Sequence, residues 1–241
     1  MFNVVITMAG EGKRFRDAGY KIPKFMIDVE GKTLFEWSME SLRSLNKEFF
    51  YFITRKEYDA SYFIKEKCDK LGISNFKIIE LEEKTLGQAQ TAMYAINECN
   101  LDDEIFIYNI DTYANPNFIR REKLLGDGGI PCFNADGEHW SFVKLNENNI
   151  AVEVTEKKRI SEHASIGAYY FKKASDFIKA YNLFYIEQKR LEKGERYVAP
   201  LYNELIKDNK EITIIQIPTN EVVVLGTPAE VEEFKLKNNN I

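Results

Sequence analysis

An apolar run from Val4 to Met8 empties directly into Ala9-Gly10-Glu11-Gly12-Lys13-Arg14-Phe15, and this junction constrains the fold more than any other stretch of the chain. The run reads as a buried strand and the loop after it as an anion cradle. Two glycines let backbone N–H groups approach phosphate oxygens without an intervening side chain, while Lys13 and Arg14 supply positive charge. Further on, Ile22-Pro23-Lys24-Phe25-Met26 carries a third cation. Pro23 stiffens the chain and directs Lys24 back toward the same pocket.

The elements after this loop alternate. Thr33-Leu34-Phe35-Glu36 is a capping box, and Leu34, Trp37, Ser41, Leu42 and Leu45 recur at helical spacing. A strand from Phe49 to Thr54 leads to a helix with Ala60, Phe63, Ile64, Cys68 and Leu71 on one face, then a strand from Phe76 to Leu81. A helix from about Gln88 to Cys99 precedes the strand Glu104 to Tyr108. Such alternation predicts an α/β fold with a Rossmann-like, mostly parallel central sheet flanked by helices, and ligands at the carboxyl ends of its strands. From Gly129 the runs Ile130 to Phe133, Trp140 to Leu145, Ala151 to Thr155 and Ala164 to Phe171 are spaced too tightly for helices between them. They predict a mixed or antiparallel extension of the sheet. A helix through Phe177, Ala180, Tyr181 and Phe184 follows, and strands near Ile212 to Ile217 and Glu221 to Leu225 close the chain.

Two familiar glycine motifs are excluded. The spacing G-x-x-x-x-G-K-[ST] is absent, and a dinucleotide fingerprint would need a third glycine where Phe15 stands. The second strand also closes on Thr54 and Arg55 rather than on a ribose-binding acid, which disfavours hydride transfer. A net charge of −5 argues against general nucleic-acid binding. Cys68, Cys99 and Cys132 lack C-x-x-C spacing, so neither a disulfide framework nor a zinc site is expected. With no apolar run of membrane-spanning length and no leader-like start, the expectation is a cytoplasmic protein without a membrane partner.

Gly10-x-Gly12-x-Arg14-Phe15 followed by Pro23-Lys24-Phe25-Met26 resembles the paired opening motifs of the sugar-1-phosphate nucleotidyltransferase family, which has a GT-A-like nucleotide-binding fold. The resemblance spans nearly the whole chain. It implies one domain over residues 1–241, with a nucleotide-binding half over 1–115 and an acceptor-binding half with closing elements over 116–241. It implies Arg14 and Lys24 as catalytic cations, and Ala9, Gly10, Glu11, Gly12 and Lys13 as the phosphate-binding loop. Leu81 to Gln90 is similar to the family's G-x-A-x-A segment, which places Gly87 and Glu82 at the nucleobase. An ionised Glu82 accepts hydrogen bonds only, suiting the exocyclic amine of cytosine better than a carbonyl edge. Asp111, just past an apolar strand, is the expected magnesium ligand. Glu156 and Lys157 resemble the family's E-K-P acceptor segment, and Gly167 its G-x-Y strand.

One departure stands out. Many relatives carry a second metal-binding aspartate in W-x-D-x-G-[TQ]-P, whereas Val222-Val223-Val224-Leu225-Gly226-Thr227-Pro228 keeps G-T-P and has Val224 at the aspartate position. Either Asp111 holds magnesium with phosphates and waters, or another acid such as Glu221 or Asp28 substitutes. The expected reaction is transfer of a nucleoside monophosphate from an NTP, CTP ahead of UTP or dTTP, to a phosphorylated small molecule, first a sugar 1-phosphate, with release of pyrophosphate. A cytidylyltransferase acting on a phosphorylated choline, polyol or amino-acid derivative, and a GT-A glycosyltransferase, are the alternatives. Self-association into a homo-oligomer is left open.

Overall fold

The computed structural model describes residues 1–238. Its centre is a parallel run of strands: β1 (Phe2–Thr7), β2 (Phe49–Arg55), β3 (Phe76–Leu81) and β4 (Glu104–Asn109). β1 pairs parallel with both β2 and β4, and β3 pairs parallel with β2. The short β5 (Thr112–Ala114) follows β4. The sheet then continues through β6 (Gly128–Asn134), β7 (Ser141–Leu145), β8 (Ala151–Glu156), β9 (His163–Ser165) and β10 (Ala168–Phe171). Its spatial order is β3-β2-β1-β4-β10-β6-β9-β7-β8, with β11 (Ile212–Gln216) parallel to β6 as the tenth strand. β10 runs antiparallel to β4 and joins the parallel half to the mixed half in one sheet.

β1 and β4 are apolar through their middles, Val4–Ile6 and Ile105–Tyr108, because both faces are covered. Val5, Ile105 and Ile107 belong to one core cluster, with α4 (Gln88–Ile96), α5 (Ala174–Tyr181) and α6 (Tyr202–Lys207) above them. Val4, Ile6, Phe106 and Tyr108 point to the other face and pack with α2 (Leu34–Ser41) and α3 (Ser61–Leu71). Period-2 alternation thus feeds two cores from one strand.

Two expected boundaries move. The single strand from Ala164 to Phe171 is divided into β9 and β10, because Gly167 adopts φ +83, outside the extended region. The α4 helix ends at Ile96, and turns carry the chain on through Cys99. Trp140 lies just before β7, not in it, edge-on to Phe133 at 5.1 Å with its indole N–H on the Asp136 carbonyl, so it serves packing. No helix among the described residues is long and apolar enough to cross a membrane.

The predicted capping box forms in full. Glu36 N–H donates to Thr33 Oγ1 at 3.3 Å, and Glu36 Oε2 accepts from Thr33 N–H at 2.9 Å. Lys70 and Lys67 reach the same buried carboxylate from α3, at 2.6 and 3.3 Å. Burial alone would raise the Glu36 pKa, but the bonds from Lys70, Thr33 and Lys67 outweigh it and hold the carboxyl at about 2. Since this folded-state value lies below the unfolded one, the stabilisation is complete above the ordinary glutamate range and fades as pH falls toward 2. Glu36→Gln should therefore cost on the order of 2 to 3 kcal/mol at neutral pH and flatten the acid limb of stability, measured as urea midpoints across pH 7 to about pH 3.

Candidate active site

The order of the parallel strands reverses at β1, whose neighbours are β2 and β4. In-register pairing sets Thr7 beside Asn109, so the chain segments leaving β1 and β4 emerge together at the carboxyl edge. This is where an open α/β sheet offers a crevice. The glycine loop leaves β1 there and enters α1 (Lys13–Asp17) through Gly12.

Long-range contacts hold this loop in place. The Tyr58 hydroxyl donates to the Gly10 carbonyl at 2.9 Å, and the Tyr58 ring meets Phe25 edge-on. Phe25 follows Lys24 in a single turn after Pro23. A Cβ on Gly12 would lie 3.5 Å from Lys24 Cβ, so the loop packs directly on the lysine stem. Lys24 Nζ then reaches Asp111 Oδ2 at 2.5 Å, with both side chains about four-fifths buried. Glu11 is shared among Arg16, Arg55 and Lys84 at 3.8 to 3.9 Å. Lys13 and Arg14 are exposed, while Ala9 is buried in the core and offers only its backbone.

A polar floor lies behind Asp111. Asn109 Nδ2 donates to Thr112 Oγ1 at 3.0 Å and to the Ile166 carbonyl at 3.3 Å, and its buried Oδ1 has no partner among the described residues. Gln88 Nε2 donates to Thr7 Oγ1 at 3.3 Å and to the Gly167 carbonyl at 3.4 Å. A Cβ on Gly167 would fall 2.2 Å from Asn109 Nδ2. Gly167 is thereby placed beside Asn109 at the end of β4.

In the mixed half of the sheet, Lys157 takes a left-handed backbone just past β8, its Nζ on the Tyr197 hydroxyl and 4.4 Å above that ring. Glu156 accepts from Ser141 Oγ, which also lies 3.2 Å from the Tyr169 hydroxyl. Burial raises the Glu156 carboxyl above its ordinary value, against the pull of Ser141 and Lys157. Burial and then Glu195 push the Tyr197 phenol above its ordinary value. Asn203, from α6, accepts from Val154 N–H at 2.9 Å and donates to its carbonyl at 2.7 Å, covering the open edge of β8. A cleft of about 480 Å³ runs along β8 past Glu156; Lys24 and Asp111 lie outside its lining.

Glu82 is exposed and held by Lys56 at 2.7 Å. The close approach permitted at Gly87 is made by the chain itself: at φ +137 a Cβ there would sit 2.7 Å from the Arg196 carbonyl oxygen, and Arg196 bonds to Leu86 and Ala89 on either side. Asp28 accepts from Gly31 N–H and Glu221 from Asn115, so both acids proposed as substitutes have other partners. Val224, in β12 (Val222–Val224), pairs with Thr112 and packs on the apolar cluster beneath β4. The acid that does lie near Asp111 is Glu230, in α7 (Pro228–Asn238). Among the described residues no three His, Cys, Asp or Glu side chains converge as a ready metal site.

No family model matches the sequence. A crystal structure of the nucleoside-diphosphate-sugar pyrophosphorylase from Vibrio cholerae RC9, 36% identical, superposes with a TM-score of 0.89 over 97% of this chain and 99% of that one. The chain belongs to the sugar-phosphate nucleotidyltransferase family. The fold of the family is also seen in the inositol-1-phosphate CTP transferase from T. maritima, with a TM-score of 0.76 at 16% identity over 98% of this chain and 96% of that one. The bifunctional protein GlmU of Methanocaldococcus jannaschii is 25% identical over 214 residues, 86% of this chain and 48% of that protein. The chain spans about half the length of the curated relatives it matches.

Gly87 and Gly10 differ in what surrounds them. Gly87→Ala should lose on the order of 2 kcal/mol, because backbone blocks the new methyl and φ is strained. Gly10→Ala should fold within about 0.5 kcal/mol of wild type, since no atom lies within 4 Å of its Cβ position. Thermal melts with and without NTP check both: the Gly10 variant should lose NTP-dependent stabilisation while keeping its melting temperature without ligand.

Proposed function

We propose that the chain transfers a nucleoside monophosphate from an NTP to a phosphorylated small molecule, a sugar 1-phosphate first among them, and releases pyrophosphate. The observation that carries this reading is the meeting of Gly12, Lys24 and Asp111 at the carboxyl edge between β1 and β4. An oxygen of the acceptor phosphate attacks the α-phosphorus as the bond to the β-phosphate oxygen breaks. Negative charge gathers on the departing pyrophosphate, where Arg14, Lys24 and the loop N–H groups of residues 10–13 stabilise it. No protein nucleophile is required, because positioning and electrostatic stabilisation supply the rate. Asp111 would hold a magnesium ion, which when bound would offset charge on the triphosphate oxygens. Lys157 places a cation for the acceptor phosphate, and Glu156, with its raised carboxyl pKa, can serve the acceptor hydroxyls. Pyrophosphate release across a matrix of NTPs and phosphorylated acceptors tests the reading; no release with any pair overturns it.

Lys24→Ala should lower turnover at least about tenfold, since one charged contact to the leaving group is worth on the order of 2 to 3 kcal/mol at the barrier. Turnover near wild type in a folded variant removes Lys24 from catalysis.

Glu82 supports a preference for CTP over UTP and dTTP, with a limit set by Lys56. A base amine must share the carboxylate with that ammonium, so the preference should be about 1 kcal/mol, roughly fivefold in kcat/KM. Glu82→Gln should narrow it, and a clear preference for UTP or dTTP would remove Glu82 from base reading.

A further inference from the structure

Thr-x-x-Glu stands at the start of both α2 and α7, and the two copies end differently. At Thr33 both halves of the capping box form. At Thr227 one half is drawn: Glu230 N–H donates to Thr227 Oγ1 at 3.2 Å, while Glu230 Oε2 is buried without a hydrogen-bond partner among the described residues. That oxygen lies across Gly226 from the catalytic edge. A Cβ on Gly226 would sit 3.2 Å from Asp111 Oδ2 and 3.6 Å from Glu230 Oε2, so the two carboxylates approach the same glycine and a side chain there would crowd Asp111. Leu225 N–H, bonded to the Asp111 carbonyl at 2.9 Å, ties the Gly226 turn to this spot.

A buried, unpaired carboxylate oxygen costs stability wherever nothing compensates it. Lys24 neutralises Asp111, yet among the described residues no cation is within salt-bridge distance of Glu230. Magnesium takes one or two carboxylates together with phosphate oxygens, which is the donor set that Asp111 and Glu230 offer beside the glycine loop. Val224 cannot contribute, being apolar and packed on its cluster. We propose that Glu230 supplies the second carboxylate for the divalent cation at Asp111, doing from α7 what the family's aspartate does from the position of Val224. The proposal rests on the nucleotidyltransferase reading above.

The test uses Mn²⁺ alone as the probe, titrated against the full chain with free Mn²⁺ read by electron paramagnetic resonance. Glu230→Gln should weaken Mn²⁺ binding at least about tenfold, as should Asp111→Asn. Because glutamine keeps the helix position, melting temperature should stay near that of wild type. Mn²⁺ affinity unchanged by Glu230→Gln overturns the proposal, as does a wild type with no measurable Mn²⁺ binding. Pyrophosphate release by wild type, measured alongside, separates the two claims. Release with Mn²⁺ binding indifferent to Glu230 leaves the transferase reading standing, whereas Glu230-dependent binding with no release for any substrate pair overturns that reading and keeps the carboxylate pair.

Discussion

Everything at the carboxyl edge of the sheet depends on β1 being paired in parallel with β2 and β4 at once. The pairing sets Thr7 level with Ile53 and Asn109, so three strand ends meet where the chain next turns. A slip of one residue would send Val4 and Ile6 into the face now filled by Val5, exchanging two cores of different shape. At about 2 kcal/mol for each large apolar side chain buried, that register is strongly enforced. The site inherits its precision from hydrophobic packing that never touches a ligand.

Upon that frame the polar parts are set by close approach. Gly12 lets the loop lie on Lys24, Gly167 admits Asn109, and Gly226 lies between Asp111 and Glu230. Each removes a side chain where two functional groups must come near one another. The Lys24–Asp111 pair joins residues far apart in sequence, and in the absence of ligands each neutralises the other's charge. In the proposed reaction, an NTP with its cation would redistribute that charge, the ammonium toward phosphate and the carboxylate toward metal.

Gly87 and Glu230 show where a linear motif misleads. Gly87 resembles a nucleobase contact, and a segment more than a hundred residues further along takes the space beside it. Thr227-x-x-Glu230 opens α7, and nothing local shows that its carboxylate lies beside Asp111. Thr33-x-x-Glu36 looks the same on paper and is a complete structural cap reinforced by two lysines of α3. The difference lies in what surrounds each glutamate.

From the sequence alone came the alternation of strand and helix, the glycine loop with Lys24 behind it, the acid after β4 and the full cap at Thr33. These are local properties, written in periodicity and turn chemistry over a few residues. The division of β9 from β10 at Gly167, the Arg196 backbone against Gly87, the pairing of Glu82 with Lys56 and the position of Glu230 beside Asp111 were decided only by tertiary structure. Each joins segments whose separation along the chain carries no information about distance, because strand register and helix packing, rather than spacing, bring them together.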